Sequence, residues 1–281
     1  MPTKIEWCDE TINPQGWGCY GPGGTPESPK ICPGCYALRI AERARKSKRN
    51  ICPDCLAFKP HWHPERCLKA YGRKPKAIFW QDMGDLWHDF SPPDQIDAVL
   101  NVAIAAPQHT HIFLTKNPAR YLAFVHQMRM IKNCYCGVTV RNQEEADRLI
   151  PTILELARVG IKVFVSYEPA WGEVNLRRIQ LPQGITDSLG GWYCEGGPKL
   201  CLVICGGQTG PGARPMHPDW VRSVRDQCEL AGVDFFFKGW GKYCPASSIG
   251  DATNYPIVVG AIDGVEHNAL PWPLARSRRP K

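Results

Sequence analysis

Six short apolar runs, each rich in β-branched or aromatic residues and each followed by a polar or glycine-rich exit, organise the chain from residue 77 onward. They are AIFW at 77–80, HIFLT at 111–115, CYCGVTV at 134–140, KVFVSYE at 162–168, LCLVICGG at 200–207 and VDFFFKG at 233–239. Runs of this length read as strands buried on both faces. Amphipathic stretches separate them: 92–106 after Ser91 as cap, 118–128 after Asn117 with proline in first position, 143–160 and 217–233. Gly160 and Gly232 are natural stops, and Pro151 interrupts or restarts the third stretch. KIEW at 4–7 reads as a seventh strand that leads into a cysteine-rich segment. The alternation gives an α/β fold, and a closed eight-strand barrel, a partial barrel and an open parallel sheet all satisfy it. A chain of 281 residues accommodates one barrel-sized domain or two smaller ones. It buries a core without needing disulfides.

In each of these folds chemistry gathers at the C-terminal ends of the strands. Those ends carry Gln81, Asp82, Asp85 and His88; Thr115, Lys116 and Asn117; Thr139, Arg141 and Asn142; Ser166, Tyr167 and Glu168; GGQTGPGARP at 206–215; and Lys238 with Trp240. Six polar exits in succession read as a lined active-site mouth, with Asp82, Asp85, His88, Lys116, Glu168 and Lys238 as the catalytic candidates. The glycine-rich segment matches neither the phosphate-loop nor the dinucleotide-binding pattern. Arg214 within it suits a bidentate contact to carboxylate or phosphate, or a structural salt bridge. No Ser–His–acid or paired-carboxylate pattern nominates a general acid and base.

Fourteen cysteines accompany a start, MPTKIEWCDE, that lacks an apolar signal core, and no run of 18 uncharged apolar residues is present. A reducing, cytoplasmic setting is expected, where abundant cysteine points to metal or redox chemistry. Cys32 and Cys35 form CPGC, whose Pro-Gly turn exposes N–H groups to sulfur, and Cys19 approaches across a twelve-residue insert. Three thiolates can hold a [4Fe–4S] cluster with one iron open, whereas structural zinc needs a fourth protein ligand. A thioredoxin-like pair is the alternative, since a helix begins just beyond Cys35. A second group lies in 50–70, where Cys52, Cys55, His61 and Cys67 make a Cys3His set suited to zinc, with an auxiliary iron–sulfur cluster as the alternative. His63 competes with His61 for the fourth place or serves the site without a metal. Cys8, Cys201 and Cys228 read as packed thiols, as do Cys134 and Cys136 on one side of a strand. Cys194, Cys205 and Cys244 make a third site only if the fold gathers them.

The 34 basic and 27 acidic side chains leave a formal charge of +7, with basic runs at 43–49 and 276–281. This is a modest argument for phosphate-bearing substrates against the plainer reading of a solvated helix face and a tail. Trp80, Trp87, Tyr167, Trp240 and Tyr243 are candidates for stacking on a base, or for core and lid packing.

An ordered set of segments carries a family resemblance: KIEWCDETINPQGWGC at 4–19, PGCYALRIAER at 33–43, HPER at 63–66, KPKAIFWQDMGDLWH at 74–88 and APQHTHIFLTKNPAR at 106–120. It continues through GVTVRNQEEAD at 137–147, FVSYEP at 164–169, VICGGQTGPGARPMHPDWVRSVRDQC at 203–228 and FFFKGWG at 235–241. These segments resemble a phage-associated three-cysteine family of uncharacterised function, itself similar to radical S-adenosylmethionine (SAM) enzymes. The resemblance implies one domain over 1–281, a partial TIM-like (βα)6-7 barrel with a cysteine-rich N-terminal insertion, a cluster loop at 19–35 and a second metal-binding insertion at 50–70. It implies that Cys19, Cys32 and Cys35 hold a [4Fe–4S] cluster whose open iron binds SAM. An electron from an outside reductant then cleaves the sulfonium, and the 5′-deoxyadenosyl radical takes a hydrogen atom from substrate. The interval Cys19-x12-Cys32 departs from the usual CxxxCxxC.

By position, Ser166 and Glu168 would meet ribose, Gly206 and Gly207 would admit adenine or methionine, and Asp82 and Asp85 would orient an ammonium group. The function implied is modification of a nucleotide or nucleic-acid-related substrate, without a membrane. A zinc-dependent nucleic-acid-binding protein and a metal-assisted hydrolase using Asp82, Asp85, His88 and Glu168 are the alternatives.

Overall fold

The computed structural model describes residues 3, 5–191, 197–244 and 260–275. Cys194 and the basic run at 276–281 lie outside the described residues. Among those described, one sheet holds β1 (Glu10–Ile12), β2 (Ala77–Trp80), β3 (Thr110–Thr115), β4 (Cys134–Val140), β5 (Lys162–Tyr167), β8 (Leu200–Gly206) and β9 (Asp234–Gly239), in that order. Two small antiparallel pairs stand apart from it, β6 (Ile179–Leu181) with β7 (Gly184–Thr186) and β10 (Ala261–Ile262) with β11 (Val265–Glu266). The β1–β2, β2–β3, β5–β8 and β8–β9 pairings are parallel.

The strand order never reverses along the chain. A doubly wound sheet reverses at a switch point, whereas unbroken succession with helical crossovers is the barrel's order. β1 and β9 end the order without pairing with each other, so the fold is mixed α/β with the succession of a partial TIM-like barrel. β2 and β4 are buried at every residue, which is why their sequences show no alternation.

The helices are α1 (Tyr36–Lys46), α2 (Pro53–Leu56), α3 (Pro93–Ala105), α4 (Val125–Met130), α5 (Gln143–Arg158) and α6 (Pro218–Ala231). α5 keeps Pro151 inside it because one face buries Ala146, Leu149, Ile150, Ile153 and Leu154, and Asn142 caps its start by accepting from the Glu145 N–H at 3.0 Å. Gly232 ends α6 in the left-handed conformation that suits glycine. No helix among the described residues is long and apolar enough to cross a membrane.

Local expectations fail in three places. Of the expected strand at 4–7, the described residues 5–7 are not a strand: Trp7 is buried against Phe79, its carbonyl accepts from Trp272 Nε1 at 2.9 Å, and the ladder starts at Glu10. Ser91 does not cap α3, because its hydroxyl is directed to Gln15 Oε1 at 3.2 Å. Asn117 likewise spends its amide on the Trp87 carbonyl and Asp89, and 118–124 forms a 3-10 turn ahead of α4.

The chain divides into two compact units, Met1–Tyr135 with Trp272–Ser277, and Cys136–Pro271 with Arg278–Lys281. In the first, Trp87 packs on Phe113, Tyr121 and Phe124. In the second, Phe164, Phe236 and Phe237 are fully buried. Each such side chain stabilises its unit by about 2–3 kcal/mol.

Candidate functional site

In the first unit, residues 13–35 connect β1 to α1, and this connection carries Cys19, Cys32 and Cys35. The twelve-residue insert doubles back on itself. Lys30 N–H donates to the Tyr20 carbonyl at 2.6 Å, and a Cβ on Gly21 would lie 1.8 Å from the Lys30 carbonyl oxygen, at a φ of +76. Only glycine permits that approach. The long interval is therefore closed at its base, with Lys30 and Ile31 beside Tyr20 and Gly21. Cys35 stands at the start of α1, and its N–H closes a turn onto the Cys32 carbonyl at 3.1 Å.

Cys19 Sγ accepts from the Gly21 N–H at 3.2 Å. Burial, reinforced by the charge of Asp85, pushes its thiol up to about 12, with Lys116 acting in the opposite direction. A thiolate at Cys19 therefore needs a cationic partner, which a metal supplies. Cys19 and Cys35 pack with Ala37, Ala41, Phe58 and Met83.

The exit of β2 holds this loop in place. Gln81 is buried with a left-handed φ of 65, a strained state for a residue with a side chain, at a cost of about 1–3 kcal/mol. Its side chain bridges two arm residues, accepting from Gln15 N–H at 3.0 Å and donating to the Gly16 carbonyl at 2.9 Å. Asp82 accepts from Asn13 Nδ2 at 2.7 Å, and burial raises its carboxyl. Asp85 accepts from the Thr115 hydroxyl at 2.8 Å, Trp87 N–H at 3.0 Å and Lys116 N–H at 3.2 Å, and burial raises its carboxyl as well. His88 sets Nε2 3.0 Å from the Gly21 carbonyl while Nδ1 accepts from Phe90 N–H at 3.2 Å. The tautomer with hydrogen on Nε2 satisfies both contacts. His88 thus tethers the cysteine loop, and Asp85 stitches the β2 exit to the β3 exit.

In the second unit, Glu168 and Lys238, at the exits of β5 and β9, form an ion pair. Ser166 is buried within β5, one residue short of its end. A Cβ on Gly206 would rest against Lys238 Cβ at 3.3 Å and Glu168 Cδ at 3.5 Å. A Cβ on Gly207 would lie 2.1 Å from the Trp240 carbonyl oxygen, a close backbone approach that requires glycine there. The Arg214 guanidinium lies 4.9 Å from the centre of the Trp171 ring, which the Arg141 guanidinium also covers at 4.5 Å.

The second cysteine group assembles in altered membership. Cys52, Cys55, His61 and His63 each offer a donor atom, all within 4.8 Å of one another, a Cys2His2 group able to hold a metal. Cys52 Sγ is 3.2 Å and Cys55 Sγ 3.6 Å from His61 Nε2, and Cys55 Sγ is 3.8 Å from His63 Nε2. The far ring nitrogens are engaged, His61 Nδ1 with the Lys59 carbonyl at 2.7 Å and His63 Nδ1 with Glu65 at 2.8 Å. Those contacts aim both Nε2 atoms inward, as outer partners of metal-bound histidines do. Cys67 is not in the group: it is buried on the 3-10 turn Pro64–Tyr71, where burial raises its thiol to about 11. His63 takes its place. The H-x-H spacing was the available signal, since alternate residues of an extended chain share a side.

The remaining cysteines mostly pack. Cys8, Cys134, Cys136, Cys205 and Cys228 are buried, while Cys201 and Cys244 are intermediate. Of the aromatic candidates for base stacking, Trp80, Trp87, Tyr167 and Trp240 are core residues at 1 % exposure or less, and Tyr243 alone among the five is exposed.

A family model described as "Protein of unknown function (DUF5131)" matches residues 2–271. The chain belongs to this family. The DUF5131 match spans both cysteine groups and all six exits described above. No curated protein and no solved structure matches the chain.

Proposed function

We propose that this DUF5131 protein is a radical SAM-type enzyme that holds a [4Fe–4S] cluster on Cys19, Cys32 and Cys35 and modifies a nucleotide or nucleic-acid-related substrate. The observation that carries the reading is the placement of all three thiols on the first strand-to-helix connection of an unbroken parallel α/β succession, with the long interval folded back at its base. The chemistry of the donor set supports the reading: three thiols would leave one iron of a cluster for a small-molecule ligand, and the Gly21 N–H donates to Cys19 sulfur. When bound, the cluster and SAM supply one-electron chemistry and a carbon radical.

The chain's own residues do the positioning. His88 and Gln81 hold the cysteine loop, and Asp85 braces Lys116, whose charge acts on Cys19. In the second unit Arg214 on Trp171, with the +7 charge, favours a phosphate-bearing substrate. Reduction requires an outside electron donor. The hydrolase reading loses ground because Asp85 and His88 spend their polar atoms on protein partners. The nucleic-acid-binding module loses its stacking surface to the core.

At the Cys2His2 group the ion proposed is zinc, on four thiolate and imidazole donors suited to a tetrahedral site. An auxiliary iron–sulfur cluster fits less well, because thiolates on separate irons stand farther apart than ligands of one ion.

Iron and acid-labile sulfide in protein purified without oxygen test the cluster. About four of each per chain, lost in Cys19→Ala, Cys32→Ala and Cys35→Ala, is the supporting result. Iron absent from the wild type, or unchanged in the three variants, overturns it.

A further inference from the structure

The segment that carries His61 and His63 also grips the arm that delivers Cys19. His61 N–H donates to the Gln15 carbonyl at 3.2 Å and His63 N–H to the Pro14 carbonyl at 2.6 Å. The same two residues therefore face the Cys2His2 group with their rings and bind residues 14–15 with their main chain. Arg66 adds a third hold, donating to the Asn13 carbonyl at 3.0 Å and to Cys55 Sγ at 3.5 Å.

The arm is built for this contact. A Cβ on Gly16 would lie 2.4 Å from His61 Cε1, and one on Gly18 would lie 2.4 Å from the Pro60 nitrogen. From the other direction a Cβ on Gly84 would lie 2.3 Å from the Gly18 carbonyl oxygen, and Gly18 N–H donates to the Met83 carbonyl at 3.0 Å. Gly18 is thus pressed between the Lys59–Pro60 backbone and Gly84, with no side chain to cushion it, and Cys19 follows directly.

We propose that a divalent ion of the zinc class on Cys52, Cys55, His61 and His63 is a clasp that fixes residues 13–18 and so sets the position of Cys19. The segment 57–63 between α2 and the 3-10 turn contains no helix or strand. A chain with so little regular structure has few ways to hold two histidine N–H groups in register with the arm, and an ion joining it to Cys52 and Cys55 removes that freedom. His61 and His63 are in this sense positioning residues for the cysteine loop. The inference rests on the zinc reading of the Cys2His2 group and is independent of whether Cys19 holds a cluster.

Hydrogen exchange read by mass spectrometry on the full chain, beside zinc content, tests it in the wild type, His63→Ala, His63→Cys and Cys67→Ser. The wild type and Cys67→Ser should hold about one zinc per chain. His63→Ala should lose it, with exchange in peptides covering 13–18 and 59–63 rising on the order of tenfold or more while peptides from β5, β8 and β9 keep the wild-type rate. His63→Cys should recover both zinc and protection, since a Cys3His set still suits the ion. Chelator-stripped wild type should show the same local pattern, reversed by added zinc. Zinc retained in His63→Ala overturns the ligand set. Zinc lost with unchanged exchange at 13–18, or a rise of equal size in β5, β8 and β9, overturns the clasp. A wild type that holds zinc without iron and shows the local pattern leaves the clasp standing and removes the cluster reading alone.

Discussion

Replacing Gly207 with alanine puts a methyl carbon 2.1 Å from the Trp240 carbonyl oxygen and 2.5 Å from its carbon, where real contacts stay above 3.0 Å. The obstacle is backbone, and it is fastened: Gly207 N–H donates to the Gly239 carbonyl and Lys242 N–H to the Gln208 carbonyl, both at 2.9 Å. Relief requires parting these two chain segments, an overpacking cost of about 3 kcal/mol. At Gly206 the nearest atoms are Lys238 Cβ at 3.3 Å and Glu168 Cδ at 3.5 Å, so only a few tenths of an ångström must give and Gly206→Ala should cost about 1 kcal/mol. With about 2–4 °C of Tm per kcal/mol, calorimetry should place Gly207→Ala roughly 6–12 °C below the wild type and Gly206→Ala within about 4 °C of it. A glycine kept open for a cofactor predicts the reverse for Gly207: wild-type stability with lost ligand affinity. A Gly207→Ala Tm within about 2 °C of the wild type would refute the packing argument.

Burial holds His111 at about 4 in the folded protein against an ordinary 6.5, so the unfolded chain binds the extra proton between those values. Stability is full above 6.5 and falls as the pH drops toward 4, with His111 contributing about 3 kcal/mol to the loss. His111→Gln, which can still accept from Trp80 Nε1 and donate to the Ala106 carbonyl, should flatten that part of a urea-midpoint against pH curve; an unchanged slope contradicts the assignment. Asp85→Ala strands the Thr115 hydroxyl and the Trp87 and Lys116 N–H groups and should cost about 3–5 kcal/mol in urea unfolding, whereas a loss under about 1 kcal/mol would end its role as a stitch. Gly16→Ala replaces no ligand residue yet drives a methyl into the His61 ring, 2.4 Å from Cε1 and 3.0 Å from the ligand atom Nε2, so Co2+ affinity, read from visible d–d absorption, should fall about tenfold or more; wild-type affinity would show that the arm and the metal group are uncoupled.

The six main strands are legible in the sequence because runs such as AIFW and CYCGVTV are buried on both faces, and that demand leaves little choice of residue. KIEW misleads because Trp7 is apolar for a tertiary reason: it packs on Phe79 and receives Trp272 from the far end of the sequence. Ser91 and Asn117 have the composition of caps, but distant acceptors, Gln15 and Trp87, claim their side chains. At the metal group, cysteine spacing identifies Cys52 and Cys55, while the choice between Cys67 and His63 depends on where the turn beginning at Pro64 carries the chain. Gln81 is legible in the sequence only as one polar residue at a strand exit, with no role attached. Its importance lies in a left-handed backbone and two hydrogen bonds to the arm, which only three-dimensional structure displays.

The most direct test of the central claim is the low-temperature EPR spectrum of reduced protein, prepared without oxygen, before and after addition of SAM. A reduced cluster signal that shifts on adding SAM, with 5′-deoxyadenosine formed on turnover and both lost in Cys19→Ala, is the predicted result. A signal indifferent to SAM in the wild type, or one that survives the loss of Cys19, contradicts the account.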